Sequence, residues 1–495
     1  MEMASSFLPV WVVMFPLVMT LVIYYVEQHS EKMRNALAVF TSVVTFLSVA
    51  ALYPYIMEGN IIQFSVLELL PNLEISFRVD ILSFSLALLS SFVWMLVAIY
   101  SLDYMCHEHG CNRYYPVLMI TLAGCLGIFM AGDFFTLFVF FELMSLISYV
   151  LVVHEETIDA LRAGYKYLIM TIIGGLALFF GIIITFELGG SVSLSTETTL
   201  IAEQSTLAFF AFISFLIGFG MKAGMFPLHV WLPDAHPVAP SPASALLSGI
   251  MLKTGAYGLL RVIFHVFGIE FMQETGWTLI IAVVAVITIL LGSAVAITQE
   301  DLKRRLAYSS VGQMGYILLG ISLLTERALI GNIFHIFSHA FMKSTLFLAA
   351  GAIILKTGKR NIKDLGGIGK QMPFTMFAFT LAALAMIGIP PFNGFLSKWT
   401  LALGAMDAGV PFYVLILLIS SLLNGLYYLP IIISAFFGLE HGHEHEPVKI
   451  NEAPYKMLIP VAILAISTLL FGLLPSNLPF DLSRVAADFL LRGGF

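Results

Sequence analysis

The chain is short of charge. Only 11% of its 495 residues are Asp, Glu, Lys or Arg, where a soluble protein carries about 25%. With 59% hydrophobic residues and a mean hydropathy of +0.95, it does not read as a soluble enzyme. Its net charge of −7 is not informative about a nucleic-acid partner, and it has no basic stripe to bind one, so none is expected. Cysteine is also scarce. Cys106, Cys111 and Cys125 are too few for a disulfide framework, and they lack the spacing that holds an Fe–S cluster. No basic residue precedes the first apolar run, MEMASSFLPVWVV, which argues against a cleaved signal peptide.

What the chain has is apolar runs of roughly 20 residues, the length that spans a bilayer core. The runs lie near 6–26, 36–57, 79–101, 115–132, 134–153, 167–188, 206–229, 243–262, 277–298, 306–324, 331–355, 372–397, 411–437 and 457–474. The expected fold is an all-α polytopic membrane protein of about 14 transmembrane helices. Residues 58–78, with Pro71 and alternating apolar positions, read as a strand-like excursion. The segment after Pro475 reads as a short amphipathic or irregular tail.

Basic residues set the orientation. Of the 24 Lys and Arg, fifteen fall in loops after odd-numbered runs and three, Arg78, Arg261 and Arg327, in loops after even-numbered runs. Arg484 and Arg492 lie in the tail, and four lysines lie inside runs. This positive-inside bias predicts cytoplasmic odd loops and both termini outside, in the cell (inner, cytoplasmic) membrane.

The run 206–229 is interrupted by Gly224 and Pro227, and the run 372–397 by Gly388, Pro390, Pro391 and Gly394. They are five runs apart, with four runs between them, so they enter the membrane from opposite sides. Interrupted segments in corresponding positions point to inverted repeats around an ion path. The expected organisation is helices 1–3 in 1–113, a first five-helix repeat in 114–262, a second in 277–437, and a cytoplasmic loop, helix 14 and tail in 438–495. Non-helical backbone at membrane depth needs protein or water to satisfy it. Water-filled pockets are therefore expected beside the breaks.

The four lysines within runs are Lys222, Lys253, Lys343 and Lys398. A lysine at membrane depth costs at least about 2.5–3.5 kcal/mol, so its presence points to function. Glu142, in FTLFVFFELMSLISYVLVV, is the acid well inside a run, with Ser145 and Tyr149 on its helical face. Paired with a lysine, such a carboxylate could switch that lysine's proton affinity by moving; the alternative is a static packing pair. His335, His339 and Lys343 recur every fourth residue and form one polar stripe. Histidine titrates nearest neutral pH, so this row suits proton hopping between the two broken helices, with Lys398 at its far end. Histidines one turn apart do not suit an axial haem pair, and the runs lack the oxygen ligands of a sodium site. Asp80 is expected to cap the third helix. CHEHGC, from Cys106, and the Glu/His-rich EHGHEHEP, from Glu440, read as solvated loops before metal sites.

These residues resemble the antiporter-like subunits shared by respiratory complex I, Mrp-type cation/proton antiporters and membrane-bound group 4 hydrogenases. The matching stretches are FFELMSLISYVL, GFGMKAGMFPLHVWLPDAHPVAPSPASALLSGIMLKTGAYG, DLKRRLAYSSVGQMGY, FSHAFMKSTLFLAAG and GIPPFNGFLSK. The resemblance implies 14 core helices, two inverted five-helix repeats and a hydrophilic axis. It places the family's glutamate on Glu142, its broken-helix lysine on Lys222 and its next-helix lysine on Lys253. Its central histidines and lysine fall on His335, His339 and Lys343, and its terminal residue, Glu in some branches and Lys in others, on Lys398. AHPVAPSPASALLSG looks most like group 4 hydrogenases and related formate or sulfur-reducing complexes, and Lys398 is closer to the Mrp D-type pattern.

The implied function is a proton-translocating, non-redox subunit of a multisubunit redox-driven pump or an Mrp-type antiporter. The alternative is a self-sufficient secondary antiporter. Implied partners are other integral antiporter-like and small membrane subunits, with the lipid bilayer around them. No cofactor is expected in this chain. Fe–S clusters, with NiFe or flavin as further candidates, are expected in the partners.

Overall fold

The computed structural model of the chain describes residues 3–71, 73–194, 200–201, 203–438, 449–474, 476 and 478–493. The Glu/His-rich run from Glu440 lies outside them. A strand β1 (Met3–Ser5) precedes two long helices, α1 (Leu8–Glu27) and α2 (Glu31–Ala50). A short helix α3 (Tyr53–Met57) leads into the strands β2 (Ile61–Leu70) and β3 (Leu73–Val79). Next come α4 (Ile81–Tyr104), α5 (Cys111–Phe129), α6 (Phe134–Val152) and α7 (Ile158–Gly189).

α8 (Thr206–Ala223) ends at the first break and is followed by α9 (Leu232–Val238). α10 (Ser241–Leu246) and α11 (Leu252–Arg261) are joined by a π-helical segment, Leu247–Met251. Then follow α12 (Ile269–Thr275), α13 (Thr278–Thr298), α14 (Leu302–Leu323) and α15 (Glu326–Thr357). A single turn, α16 (Ile368–Gln371), precedes α17 (Pro373–Ile387), the second break and α18 (Asn393–Asp407). The last helices are α19 (Phe412–Phe437), α20 (Tyr455–Leu473) and α21 (Leu478–Leu491).

Among the described residues, twelve helical stretches are long and apolar enough to cross a membrane. The chain is a multi-pass, almost wholly helical membrane protein. The excursion at 58–78 is the β2–β3 hairpin, antiparallel, with β1 added in parallel along β2. The tail is helical over α21.

The loops sort onto two faces. β3 bridges to Ala131, and Asp133 bridges to Ser193. Leu200 N and Ile201 N donate to His265 O and Val266 O. All of these follow even-numbered runs. On the other face Asp301 bridges to Asn361, Lys166 pairs with Asp234, and Lys456 pairs with Asp103. These follow odd-numbered runs and make up the basic face.

Two arginines counted as loop charges are not solvated. Arg261 is fully buried and donates to both oxygens of Asp80 at 2.7 Å. Arg78 is also buried, its Nε 3.7 Å from Asp80 Oδ2. Asp80 does cap α4, accepting from Ser83 N at 2.9 Å, and it is an ion-pair partner as well.

The interior carries the polar side chains and the rim carries the apolar ones. α15 is buried around its whole circumference from Ala328 to Ile353. Leu176, Leu279, Leu422 and Phe437 of the outer helices stand exposed, as side chains in contact with lipid do. Lipid tails are as apolar as leucine, so polar bonds and close packing hold such a bundle together.

Candidate functional site

The first break is closed by protein. Gly224 takes φ 71°, which glycine adopts without a side-chain penalty. Gly224 N and Met225 N turn back to Met221 O and Gly220 O at 3.1 and 2.9 Å. Trp231 Nε1 donates to Met221 O at 3.1 Å, and Phe226 N donates to Thr288 Oγ1 at 3.0 Å. Lys222 sits in the last turn of α8, where the helix dipole favours a cation. Its ammonium is fully buried and donates to Tyr167 Oη at 2.8 Å, beside the rings of Tyr167 and Trp231.

The Tyr167 hydroxyl in turn meets Ser148 Oγ at 2.6 Å and donates to Ser145 O at 3.1 Å. Both serines belong to α6, the helix of Glu142. The Glu142 carboxylate lies against bare backbone on α7. A Cβ added at Gly175 would stand 2.1 Å from Glu142 Oε1. That oxygen is buried with no protein partner, and among the described residues Glu142 makes no ion pair within 4.0 Å. The direct Glu142–lysine pair anticipated from sequence is therefore not formed. Lys222 reaches α6 through Tyr167, whose hydroxyl stands nearer than the carboxylate.

The second break repeats the first. Gly388 takes φ 90°, and Gly388 N and Ile389 N turn back to Ala385 O and Leu384 O at 3.0 and 3.2 Å. Lys398, on α18, reaches back across the break. It donates to Met386 O at 2.7 Å and Ile387 O at 3.1 Å, the freed carbonyls that end α17. Asn424 Nδ2 also donates to Met386 O. Lys222 precedes its break and Lys398 follows its own, yet each ammonium lies by the carbonyl end of the first half-helix. A cavity of about 940 Å³ opens on the basic face between Glu108, Glu155, Lys303 and Arg360. Neither Lys222 nor Lys398 lines it.

Between the breaks runs a contiguous file. Lys253 Nζ donates to Ser248 O at 2.5 Å, in the π-helical segment, and meets His339 Nδ1 at 2.9 Å. The His339 and His335 rings are parallel, 6.0 Å apart between centroids. His335 Nδ1 meets Ser397 Oγ at 2.9 Å, on the helix of Lys398. The Tyr316 ring lies 5.5 Å from His335 and 4.9 Å below Lys398 Nζ. The Nε2 atoms of both histidines have no protein partner.

Lys343 does not stand in this file. It donates to Leu306 O at 2.8 Å and to Ser309 Oγ, and Tyr428 Oη is 3.5 Å away. The stripe His335–His339–Lys343 is real along α15, but Leu306 O and Ser309 Oγ of α14 hold its lysine end. The order along the file is therefore Lys253, His339, His335, Lys398, with Lys343 to one side, toward the basic face. Glu142 and Lys222 form a second cluster, on helices α6, α7 and α8. α8 packs closely on α11, where a Cβ at Gly255 would meet Phe219 O at 2.4 Å.

The sequence reading missed Tyr167, Trp231, Ser397 and Tyr316, which hold the lysines and histidines. For Tyr167, Trp231 and Tyr316 the available signal was an aromatic with a polar tip in or beside an apolar run; Ser397 carried none. It also missed the partner of CHEHGC. Glu108 and His109 come together with Glu155, their ligand atoms within 4.8 Å of one another. Burial and the neighbouring Glu155 charge push the Glu108 carboxyl up to about 7. Cys106 and Cys111 stand apart from the group, donating to Leu102 O and Met105 O.

Comparison with known proteins gives the class. Residues 131–424 match the family described as NADH:quinone oxidoreductase/Mrp antiporter, transmembrane, and residues 70–115 match complex I chain 5 N-terminus. The chain belongs to this antiporter-like membrane family. It is 33% identical over 490 residues to the N subunit of the NADH-quinone oxidoreductase of Desulforudis audaxviator, covering 95% of this chain and 96% of that one. It is 31% identical over 415 residues to the D subunit of the Na(+)/H(+) antiporter of Alkalihalophilus pseudofirmus, 83% of each. Among solved structures, a chain of the Mrp complex from Dietzia sp. DQ12-45-1b superposes with a TM-score of 0.88 at 25% identity, over 98% of both chains.

Proposed function

We propose that the chain is the proton-translocating membrane subunit of a multisubunit complex. That complex is either a redox-driven ion pump or an Mrp-type cation/proton antiporter. In its AHPVAPSP stretch it is most like a group 4 hydrogenase-related complex. The observation that carries the reading is the buried file Lys253–His339–His335–Lys398, held between two broken helices with the same cap. On this reading Glu142, Lys222, Lys253, His335, His339, Lys343 and Lys398 carry the proton. The like breaks support two inverted repeats, 114–262 and 277–437. α5 and the α17–α18 pair bring the twelve apolar stretches to fourteen.

The chemistry follows from the contacts. Lys253 can pass a proton to His339 Nδ1, and the ring then releases one from Nε2. The ring centroids are 6.0 Å apart, too far for direct transfer, so a water carries the proton on to His335. Ser397 fixes the His335 ring toward α18. Redox chemistry, with its Fe–S clusters and NiFe or flavin, is assigned to partner subunits. The partners are other integral antiporter-like and small membrane subunits. The basic face is the cytoplasmic side of the cell membrane, and both termini lie outside.

The test is proton uptake by inverted vesicles holding the native complex, with Lys222→Ala beside wild type and assembly checked by gel. The expected result is an assembled complex whose turnover no longer moves protons. Unchanged uptake refutes the reading. The chain alone, in liposomes, is expected not to exchange ions; exchange by the chain alone would make it a self-sufficient antiporter.

A further inference from the structure

The file ends toward the face opposite the basic one in a layer of three helices: Tyr316 on α14, His335 on α15 and Lys398 on α18. One helical turn further toward that face, the same helices present Gly320, Asn332 and Leu401. α14 and α18 run toward that face and α15 runs away from it, so the steps +4, −3 and +3 all lead the same way. The three residues do meet. A Cβ at Gly320 would stand 2.8 Å from Asn332 Cβ and 3.1 Å from Leu401 Cδ1. Asn332 is fully buried, and neither its amide oxygen nor its amide nitrogen has a protein partner. A buried amide with both ends unbonded is costly in a protein interior. A leucine or alanine would fill the place without that cost. Gly320, lacking a side chain, leaves the amide its room.

Beyond Asn332 the helices close. A Cβ at Gly404 of α18 would stand 2.3 Å from Ala328 N of α15, and Thr325 Oγ1 donates to Gly404 O at 3.1 Å. On the other flank a Cβ at Gly331 would stand 2.6 Å from Leu401 N. The polar step at Asn332 is thus followed by backbone-to-backbone contact between α15 and α18.

We propose that Asn332 is the first step of an outward limb of the proton path. Its amide orders water that takes the proton from His335 toward the face opposite the basic one, and the α15–α18 contact at Ala328 and Gly404 is the barrier that limb must open. Asn332 is a positioning residue, since it exchanges no proton itself. The inference rests on the proton-translocation reading above.

The test uses the native complex in inverted vesicles, with Asn332→Leu, Asn332→Ala, Asn332→Asp and Lys222→Ala measured together for assembly and proton uptake. The expected result is a tenfold or greater loss of uptake in Asn332→Leu, with assembly intact. Asn332→Asp keeps uptake and gains a pH-dependent step that wild type lacks, because the new carboxyl titrates in the path. If Asn332→Leu does not assemble, Asn332→Ala, which only removes atoms, gives the same reading. Full uptake by the assembled Leu or Ala variant overturns the outward limb. So does a loss shared equally by Asn332→Asp, which would assign the site to packing. Lys222→Ala separates the two claims. If it is inactive while Asn332→Leu is normal, only the limb fails. If Lys222→Ala is also normal, the translocation reading itself fails.

Discussion

Two adjacent glycines on α7 allow the position of Glu142 to be tested without touching Glu142. Gly174 and Gly175 are neighbours in mid-helix, so changing either to alanine gains the same backbone preference, about 1 kcal/mol. Their surroundings differ. At Gly174 a new Cβ would stand 2.7 Å from Met221 Cε, the far end of a flexible side chain that can turn aside. At Gly175 it would stand 2.1 Å from Glu142 Oε1 and 2.7 Å from Cδ. The carboxylate must then withdraw by about 1 Å, and a misplacement of about 1 Å at a reacting group can cost on the order of 100-fold in rate. The backbone does not have to move, because a glutamate end can swing. Gly175→Ala is therefore expected to assemble as wild type, with a thermal midpoint within the range of Gly174→Ala. Its proton uptake in inverted vesicles is expected to fall tenfold to a hundredfold, while Gly174→Ala keeps most of its activity. Equal uptake by the two variants would refute the claim that the Glu142 carboxylate works from its seat against α7.

Three further outcomes follow from single contacts. Arg261→Met leaves Asp80 buried with its main partner gone; breaking a buried pair in this way costs about 3–5 kcal/mol, and the thermal midpoint of the purified protein should fall accordingly, whereas an unchanged midpoint would make the pair incidental. Glu108, held near 7 by burial and Glu155, binds in the folded state a proton that the unfolded chain has lost above its ordinary value of 4.5; stability should therefore decline as pH rises from about 4.5 to 7 and level off above, and Glu108→Gln should flatten that slope in melting curves taken from pH 5 to 8. Lys253→Arg keeps the charge but not the ability to give up a proton, since arginine stays protonated in proteins; proton uptake should be lost with assembly intact, and normal uptake would make Lys253 a fixed charge.

Both breaks were legible in the sequence because a glycine followed three residues later by a proline has a local cause and a local effect. Gly224–Pro227 and Gly388–Pro391 end their helices by the same turn-back of two N–H groups. The burial of the four lysines was legible too, from their place inside apolar runs. What the sequence did not carry was the partner of each group. Lys222 finds Tyr167 and Lys343 finds Leu306 O because of how α7 and α14 rotate against their neighbours, which no run of hydropathy encodes. The same limit made Arg78 and Arg261 look like loop charges. Each lies at a run's end, and only the fold turns both toward Asp80.

The partners divide the lysines by chemistry. Lys398 is held by two carbonyls at a helix end, and Lys343 by a carbonyl and a hydroxyl. Carbonyls accept hydrogen bonds and do not take protons near neutral pH, so such contacts anchor an ammonium. Lys253 faces a histidine ring nitrogen, a group that can take the proton outright. Among the described residues, the contact between α11 and α15 is thus the one place where any of the four lysines meets a side chain that is itself a proton acceptor. On the proposed reading a proton moves there first, and the lysines beside the breaks, which carry the proton in their turn, release it only when their anchoring bonds let go. The broken helices then serve the file by fixing where those lysines stand, which explains why each break is closed by protein bonds.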